Sequence, residues 1–397
     1  MLSRCHSIAD LRRLAQRRLP APMFHYIDGG ADDEWTLRRN QSAFQDYQLL
    51  PETLRDVSSV DLSVDLFGRK LALPFFLAPT GMSRLFHHQK EFAAAHAAEA
   101  AGTFYGLSTL ATTSLEDVAA AVRNPLMFQI YILKDRGLTL EFVARCKAAG
   151  YSALCLTVDM AMAGNRERDL RTGMVMPPRF GLRSLWSFAT HPAWAMNLAL
   201  HPGFRLANVA HRVDALGAGA MGLIDYVNSQ FDRTVTWADV EWLRAHWTGP
   251  LILKGILSPA DAARAKAVGA DGLMISNHGG RQLDGAPAPI DLVRPIRAAV
   301  GPGMELVVDG GIRRGGDIVK AIALGADACS VGKAYLYGLA AGGEAGVSKA
   351  IAILRSELER TMILLGCRSI SEIGERHVLP LEGRRIPAIP LQSTGTV

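Results

Sequence analysis

The chain has 397 residues, 49% of them hydrophobic and 20% charged, and a formal net charge of +5. That balance excludes a disordered or fibrous chain and leaves room for one barrel of about 250 residues with insertions. The 43 Lys and Arg are scattered, with no dense basic stripe, zinc-finger pattern or RNA-binding signature, so no nucleic-acid partner is expected. The mild basicity suits an anionic small molecule, a phosphate-bearing cofactor or an anionic membrane surface. Cys5, Cys146, Cys155, Cys329 and Cys367 lie far apart without a C-x-x-C, so neither a disulfide framework nor a metal site is expected. The N-terminus lacks an apolar signal core, and no run of about 18 uncharged apolar residues occurs. Both features predict a cytoplasmic chain without a spanning helix.

In chain order, residues 1–60 read as an N-terminal helical cap containing Tyr26 and the sequence DGGADDE. Eight short apolar runs follow: Leu71–Thr80, Thr103–Ser108, Leu126–Ile132, Ala153–Asp159, Leu251–Gly255, Gly272–Asn277, Leu306–Gly310 and Ala328–Gly332. Continuous apolar runs without alternation predict parallel strands buried on both faces. Helices are predicted between them at Gln89–Ala101, Ser114–Arg123, Thr139–Ala149, Pro259–Val268 and Gly316–Leu324, several ending at a glycine. Strand and helix alternating eight times predict a (β/α)8 TIM barrel over residues 71–338, all within one domain of residues 1–397. An open dinucleotide-binding sheet would need a G-x-G-x-x-G turn after its first strand, and APTGMS lacks it. Residues 160–232 are too long for an ordinary βα loop and read as an insertion after strand four. Residues 339–366 read as a closing helix pair, and the last thirty as an extended tail.

In such a barrel the reactive groups gather at the C-terminal strand ends. Those ends carry Thr80, Ser108, Gln129 with Tyr131, Thr157 with Asp159, Lys254, His278 with Arg281, Asp309 with Arg313, and Gly332 with Lys333. Polar groups buried there without function would cost free energy. In SNHGGRQLDG, Ser276–Gly285, a histidine able to take a proton near neutral pH stands three residues before an arginine able to grip a carboxylate. A satisfied loop histidine is the plainer alternative. DGGIRRGGDI, Asp309–Ile318, and SVGKAYLYG, Ser330–Gly338, suit a phosphate held by backbone N–H groups with Arg313 and Lys333 adding charge, or else two tight turns. In LTVDMAMAGNRERDLR, Asp159 is placed to pair with His278 and raise its basicity, although such an aspartate alone is more often a cap or surface ion-pair partner. Lys254 by itself would also suit a Schiff-base lysine.

Together these three motifs resemble the FMN-dependent 2-hydroxy acid dehydrogenase and oxidase family, from Leu14 to Gly374. The resemblance implies FMN as cofactor. It implies His278 as the active-site base and Asp159 as the partner of its protonated form. Arg281 and Tyr26 would bind the substrate carboxylate with Arg166 as a second cation, and Tyr131 would hydrogen-bond the substrate hydroxyl. Lys254 would stabilise negative charge on the reduced flavin. Pro79, Thr80, Gly81, Ser108, Gln129, Thr157 and Ser276 are implied flavin contacts, Asp309 a ribityl contact, and Gly311, Arg313, Gly332 and Lys333 the phosphate site. Lys333 stands where the family usually has arginine, which turns a two-pronged grip into a point charge. Leu110 replaces an aromatic of the glycolate oxidases, while Gly81 and Ala163 are small. A roomier pocket follows, favouring L-lactate or a longer or aromatic hydroxy acid over glycolate. Electrons would pass to a quinone or cytochrome; a mandelate-type dehydrogenase and an oxygen-using oxidase share every catalytic residue. A homotetramer is also implied.

Residues 170–213 contain no Asp or Glu. They carry Arg171, Arg179, Arg183, Arg205 and Arg212, interleaved with Phe180, Trp186, Phe188, Trp194 and Phe204. Basic and aromatic residues together suit an interfacial segment on the inner face of the cell membrane, or else a lid or oligomer contact.

Overall fold

The computed structural model describes residues 1–174, 178–201, 203–211 and 229–381. Eight parallel strands close into a barrel: β4 (Phe75–Thr80), β5 (Tyr105–Ser108), β6 (Leu126–Ile130), β7 (Ala153–Thr157), β8 (Leu251–Ile256), β9 (Gly272–Ser276), β10 (Glu305–Asp309) and β11 (Ala328–Val331). β11 pairs with β4 and shuts the ring. The chain is thus a (β/α)8 barrel. The uniformly apolar strands follow from burial on both faces. Phe76, Phe104, Met127, Cys155, Ile252 and Met274 point inward and form a separate inner cluster. Their alternates, such as Phe75, Tyr105, Phe128 and Leu154, pack with the surrounding helices.

The first predicted strand needs correction. Leu71 ends a hairpin of β2 (Val64–Leu66) and β3 (Arg69–Leu71), and the barrel strand starts only at Phe75. Pro74, with no N–H to donate, separates the two. The hairpin turns at Phe67 and Gly68, both at positive φ, as a two-residue turn of this kind requires. It presents Phe67 to the barrel floor, edge-on to Phe104, where a Cβ on Gly272 would lie 2.5 Å from the Phe67 ring.

The cap comprises helices Ile8–Arg18, Ala21–Asp28 and Trp35–Ser42. A capping box between Ser7 and Asp10 starts the first. Within the insertion the described residues form helices Glu167–Thr172, Leu182–Ala189 and Pro192–Leu200; Arg212 and Val213 fall outside the described residues. The expected closing pair begins earlier than predicted. Helix follows β11 at once from Lys333, breaks at Gly342–Gly343 and runs on to Leu365. Its two halves cross closely enough that a Cβ on Gly338 would lie 2.3 Å from the Gly346 carbonyl oxygen. The segment after it is not an extended tail as far as Leu381. Val378–Pro380 (β12) pairs antiparallel with Tyr47–Leu49 (β1), and His377 is buried. Residues 382–397 lie outside the described residues.

Candidate active site

The C-terminal strand ends surround a cavity of about 230 Å3. The loop after β9 builds its reactive edge. His278, Gly279 and Gly280 have φ of 57°, 65° and 74°, a left-handed run that glycines adopt freely and histidine does not. The turn is fixed around its strained residue. The His278 N–H donates to Ser276 Oγ (3.0 Å), and Asn277 exchanges two 2.7 Å amide bonds with Asn40 of the cap. The imidazole Nδ1 lies 3.0 and 3.2 Å from the two oxygens of Asp159. Asp159 is costly to bury as an anion, but His278 and Lys254 hold its carboxyl below the usual range. Desolvation pushes His278 down, with Lys254 and Arg281 adding to the effect and Asp159 opposing it. The resting pair is therefore a carboxylate and a neutral imidazole. An ionised carboxylate only accepts, so Nδ1 carries the proton and Nε2 has the free lone pair. Asp159 does work to raise the basicity of His278, as expected, but burial outweighs it.

Beside the imidazole stands unopposed positive charge. Arg281 donates to the Tyr26 carbonyl at 2.6 Å and lies 5.0 Å from the Tyr26 ring centre. Arg166 lies 5.3 Å from the same ring and pairs with Asp169 at 3.0 Å. Among the described residues no carboxylate is within ion-pair distance of Arg281, whose pKa is pushed down by burial and by Arg166. A desolvated guanidinium without an ion-pair partner, as at Arg281, calls for an anion from outside. Tyr131 lines the same space, edge-on to Phe231 at 5.1 Å, and burial keeps its phenol protonated.

On the other side, Lys254 is buried, donates to Ser276 Oγ at 3.0 Å and pairs with Asp309 at 3.3 Å. Burial opposes its charge, but Asp309 and Asp159 overcome that and raise its pKa. Ser108 donates to Gln129 at 3.1 Å; both line the cavity with Pro79, Thr80 and Gly81. Thr157 Oγ1 is buried and has no hydrogen-bond partner. At the far end, Gly311, Arg313, Gly332 and Lys333 line the wall, and Gly332 is the N-cap of the helix that begins at Lys333. Lys333 Nζ bonds the Gly29 and Gly279 carbonyls at 3.1 Å each. Burial, Arg281 and Arg313 push its pKa well down. A helix N-terminus, two cations and glycines form a ready anion seat.

The residues named from sequence therefore converge on one cavity, apart from two. Asp159 stands behind His278 instead of lining it. Ser276, expected to touch the cofactor, has its hydroxyl turned to its neighbours. Its hydroxyl donates to Asp309 at 2.7 Å and accepts from Lys254 and the His278 N–H, which exhausts its capacity. Ser276 positions three neighbours and does not line the cavity. Sequence reasoning missed Asn40, Phe86, Phe231 and Ser330. Asn277 adjoins the motif histidine and signalled a partner; Asn40, on a cap helix, gave no signal.

An isoalloxazine needs hydrogen-bond partners and a cation near its polar edge, and a phosphate needs the far-end seat. The orphaned Thr157 hydroxyl, Gln129, Lys254 and the Arg313–Lys333 end match that donor set, so the residues fit FMN.

The model of the family described as FMN-dependent dehydrogenase matches residues 15–380. The chain is 43% identical to an L-lactate dehydrogenase of Xanthomonas euvesicatoria over 368 residues, covering 92% of this chain and 94% of that one. It is 42% identical to an L-lactate dehydrogenase of Stenotrophomonas maltophilia over 375 residues, covering 94% and 98%. Among solved structures it is similar to a monotopic membrane protein, (S)-mandelate dehydrogenase, with a TM-score of 0.91 at 35% identity, covering 95% of this chain and all of the other. A soluble mutant of the membrane-associated (S)-mandelate dehydrogenase from Pseudomonas putida matches with a TM-score of 0.80 at 36% identity, covering 94% and 99%.

Proposed function

The chain belongs to the FMN-dependent dehydrogenase family, and on that premise we propose that it oxidises an L-2-hydroxy acid, L-lactate foremost, to the 2-oxo acid. FMN supplies the two-electron acceptor for this chemistry when bound. Arg281, Tyr26 and Arg166 grip the substrate carboxylate, and the Tyr131 phenol hydrogen-bonds the substrate hydroxyl. His278 takes a proton at Nε2, and Asp159 stabilises the imidazolium that results. Lys254 would hold FMN at its polar edge and supply positive charge there. The observation that carries this reading is the 3.0 Å His278–Asp159 contact beside a guanidinium with no counter-charge.

A mandelate-type dehydrogenase is the second reading, favoured by an apolar wall of Met82, Phe86, Leu110, Met160 and Phe231. One methylene of extra room discriminates by only about 1–3 kcal/mol, so rates must decide. The test is anaerobic bleaching of the flavin by L-lactate, (S)-mandelate and glycolate, each against its D or R counterpart where one exists. Fast bleaching by L-lactate is expected. Bleaching by mandelate alone selects the second reading, and a colourless protein that cannot be reconstituted with FMN ends both. Hydrogen peroxide measured in air separates an oxidase from a dehydrogenase.

The proposal extends to a membrane-bound quinone as electron acceptor, with a cytochrome as the alternative. Among the described residues no helix is long and apolar enough to cross a membrane. Leu182, Trp186, Met196 and Leu200 are nonetheless exposed on the insertion helices, which supports peripheral contact with the inner membrane face. A homotetramer belongs to the same proposal and is read by light scattering.

A further inference from the structure

A second concavity, about 890 Å3 and larger than the mouth cavity, runs between the N-terminal helix and the insertion helix Pro192–Leu200 with the residues just before it. One wall is basic, formed by Arg4, Arg13, Arg17 and Arg18. Arg13 is paired with Asp10, whereas Arg4, Arg17 and Arg18 are exposed and have no acidic partner among the described residues. Arg17 and Arg18 lie in the last turn of their helix, where the dipole favours cations. That accounts for neither Arg4 nor the convergence of all three on one groove. The facing wall is amphipathic, with His191, Pro192, Trp194 and Asn197. It is anchored to the body of the protein. Trp194 Nε1 donates to the Leu85 carbonyl at 2.9 Å, and the Ala21 N–H donates to Ser187 Oγ at 2.9 Å. Beyond the groove the two longer insertion helices expose Leu182 (86% accessible), Trp186 (73%) and Leu200 (71%). The helix that walls this cationic recess, and the one before it, thus carry exposed apolar side chains, a combination that matches an anionic head carrying hydrocarbon chains.

We propose that this groove is a binding site for the headgroup of an anionic bilayer phospholipid. Its phosphate lies against Arg4, Arg17 and Arg18, and its chains leave past Pro192 and Trp194 toward the exposed apolar side chains. This inference rests on the peripheral-membrane reading above and adds to it a lipid class and an address.

The test is flotation of the FMN-loaded enzyme with vesicles of phosphatidylcholine alone or mixed with phosphatidylglycerol. The wild-type enzyme is expected to partition more strongly into the mixed vesicles. Each cation near an anionic surface contributes measurably, so the combined Arg4→Gln, Arg17→Gln, Arg18→Gln variant is expected to lose on the order of 100-fold of that partitioning. Its dye-linked turnover and residual binding to phosphatidylcholine stay unchanged. Removing the same charge far away, with Arg69→Gln, Lys70→Gln and Arg123→Gln, is expected to leave partitioning intact. Equal losses from both triple variants would reduce the effect to net charge and overturn the site. A groove variant that binds mixed vesicles like wild type overturns it too, while the membrane reading stands. A wild-type enzyme that floats with neither composition removes the membrane reading itself. If the groove variant instead changes the oligomeric state by light scattering, a second copy of the chain is the occupant and the lipid assignment fails.

Discussion

At the barrel mouth, His278, Lys254, Ser276 and Asp309 are held by one another and by the cap through a closed set of hydrogen bonds. The insertion helices 182–189 and 192–200 are the opposite case: Ser184 alone of their residues is fully buried, and large apolar side chains face outward. Positive charge gathers at both places, in the second on Arg4, Arg17 and Arg18 of the N-terminal segment that faces those helices. At the mouth it is desolvated, so it selects a small anion by geometry. On the insertion flank it is in water, where it can only attract a charged surface. Cations of one sign do different work according to what surrounds them.

The comparison breaks most visibly at the mouth. His278→Gln is expected to retain FMN, read from the visible spectrum, and to lose roughly 10²–10⁴-fold in turnover. Near-normal turnover would remove His278 from the chemistry. Arg281→Lys keeps the charge but loses the two-pronged grip, and kcat/KM for the hydroxy acid is expected to fall on the order of 100-fold, with KM raised. Unchanged kinetics would place the carboxylate elsewhere.

The His278–Asp159 pair sharpens the contrast through pH. The His278 pKa lies below its ordinary 6.5 in the folded enzyme. kcat/KM should therefore rise with pH through a value below 6.5 and stay flat above it. Asp159 is the carboxylate that raises this pKa, so Asp159→Asn should move the rise to still lower pH and reduce the plateau roughly tenfold or more. A rise displaced upward contradicts the assignment. Folding stability has the same sign: the unfolded histidine binds a proton that the folded one resists, so this contribution is lost as pH falls below 6.5.

Gly280→Ala tests the mouth's rigidity without touching its chemistry. An added Cβ would lie 2.6 Å from the Leu37 backbone nitrogen at a φ of 74°. Denaturant unfolding should show a loss of about 1–3 kcal/mol. Trp186→Ser stands at the other end. Stability is expected to change by no more than about 0.5 kcal/mol and soluble-acceptor turnover not at all, while vesicle binding weakens.

Much of the barrel was legible in the sequence because its strands are buried on both faces and so read as unbroken apolar runs. Leu71 was misread for the same reason: a residue that plugs the barrel floor is as apolar as one in its wall. The convergence of His278, Arg281, Asp159, Lys254 and Asp309 was legible because strand ends in this architecture share one face. The bonds of the Ser276 hydroxyl were not legible, because sequence gives the position of a hydroxyl and not the direction in which it is used. Asn40 and the pairing of β1 with β12 depend on contacts between distant segments, which no local pattern encodes.

A Cβ on Gly30 would lie 2.7 Å from the Gly280 carbonyl oxygen, and the Ala31 N–H donates to that same carbonyl at 2.8 Å. Tyr26 and Arg281, proposed above to hold the substrate's acid group, are thus tied together through the backbone. That tie makes the facing side, lined by Met160, Ala163 and Phe231, the easier one to open. Changes at those three are expected to alter how long product stays rather than how it is made.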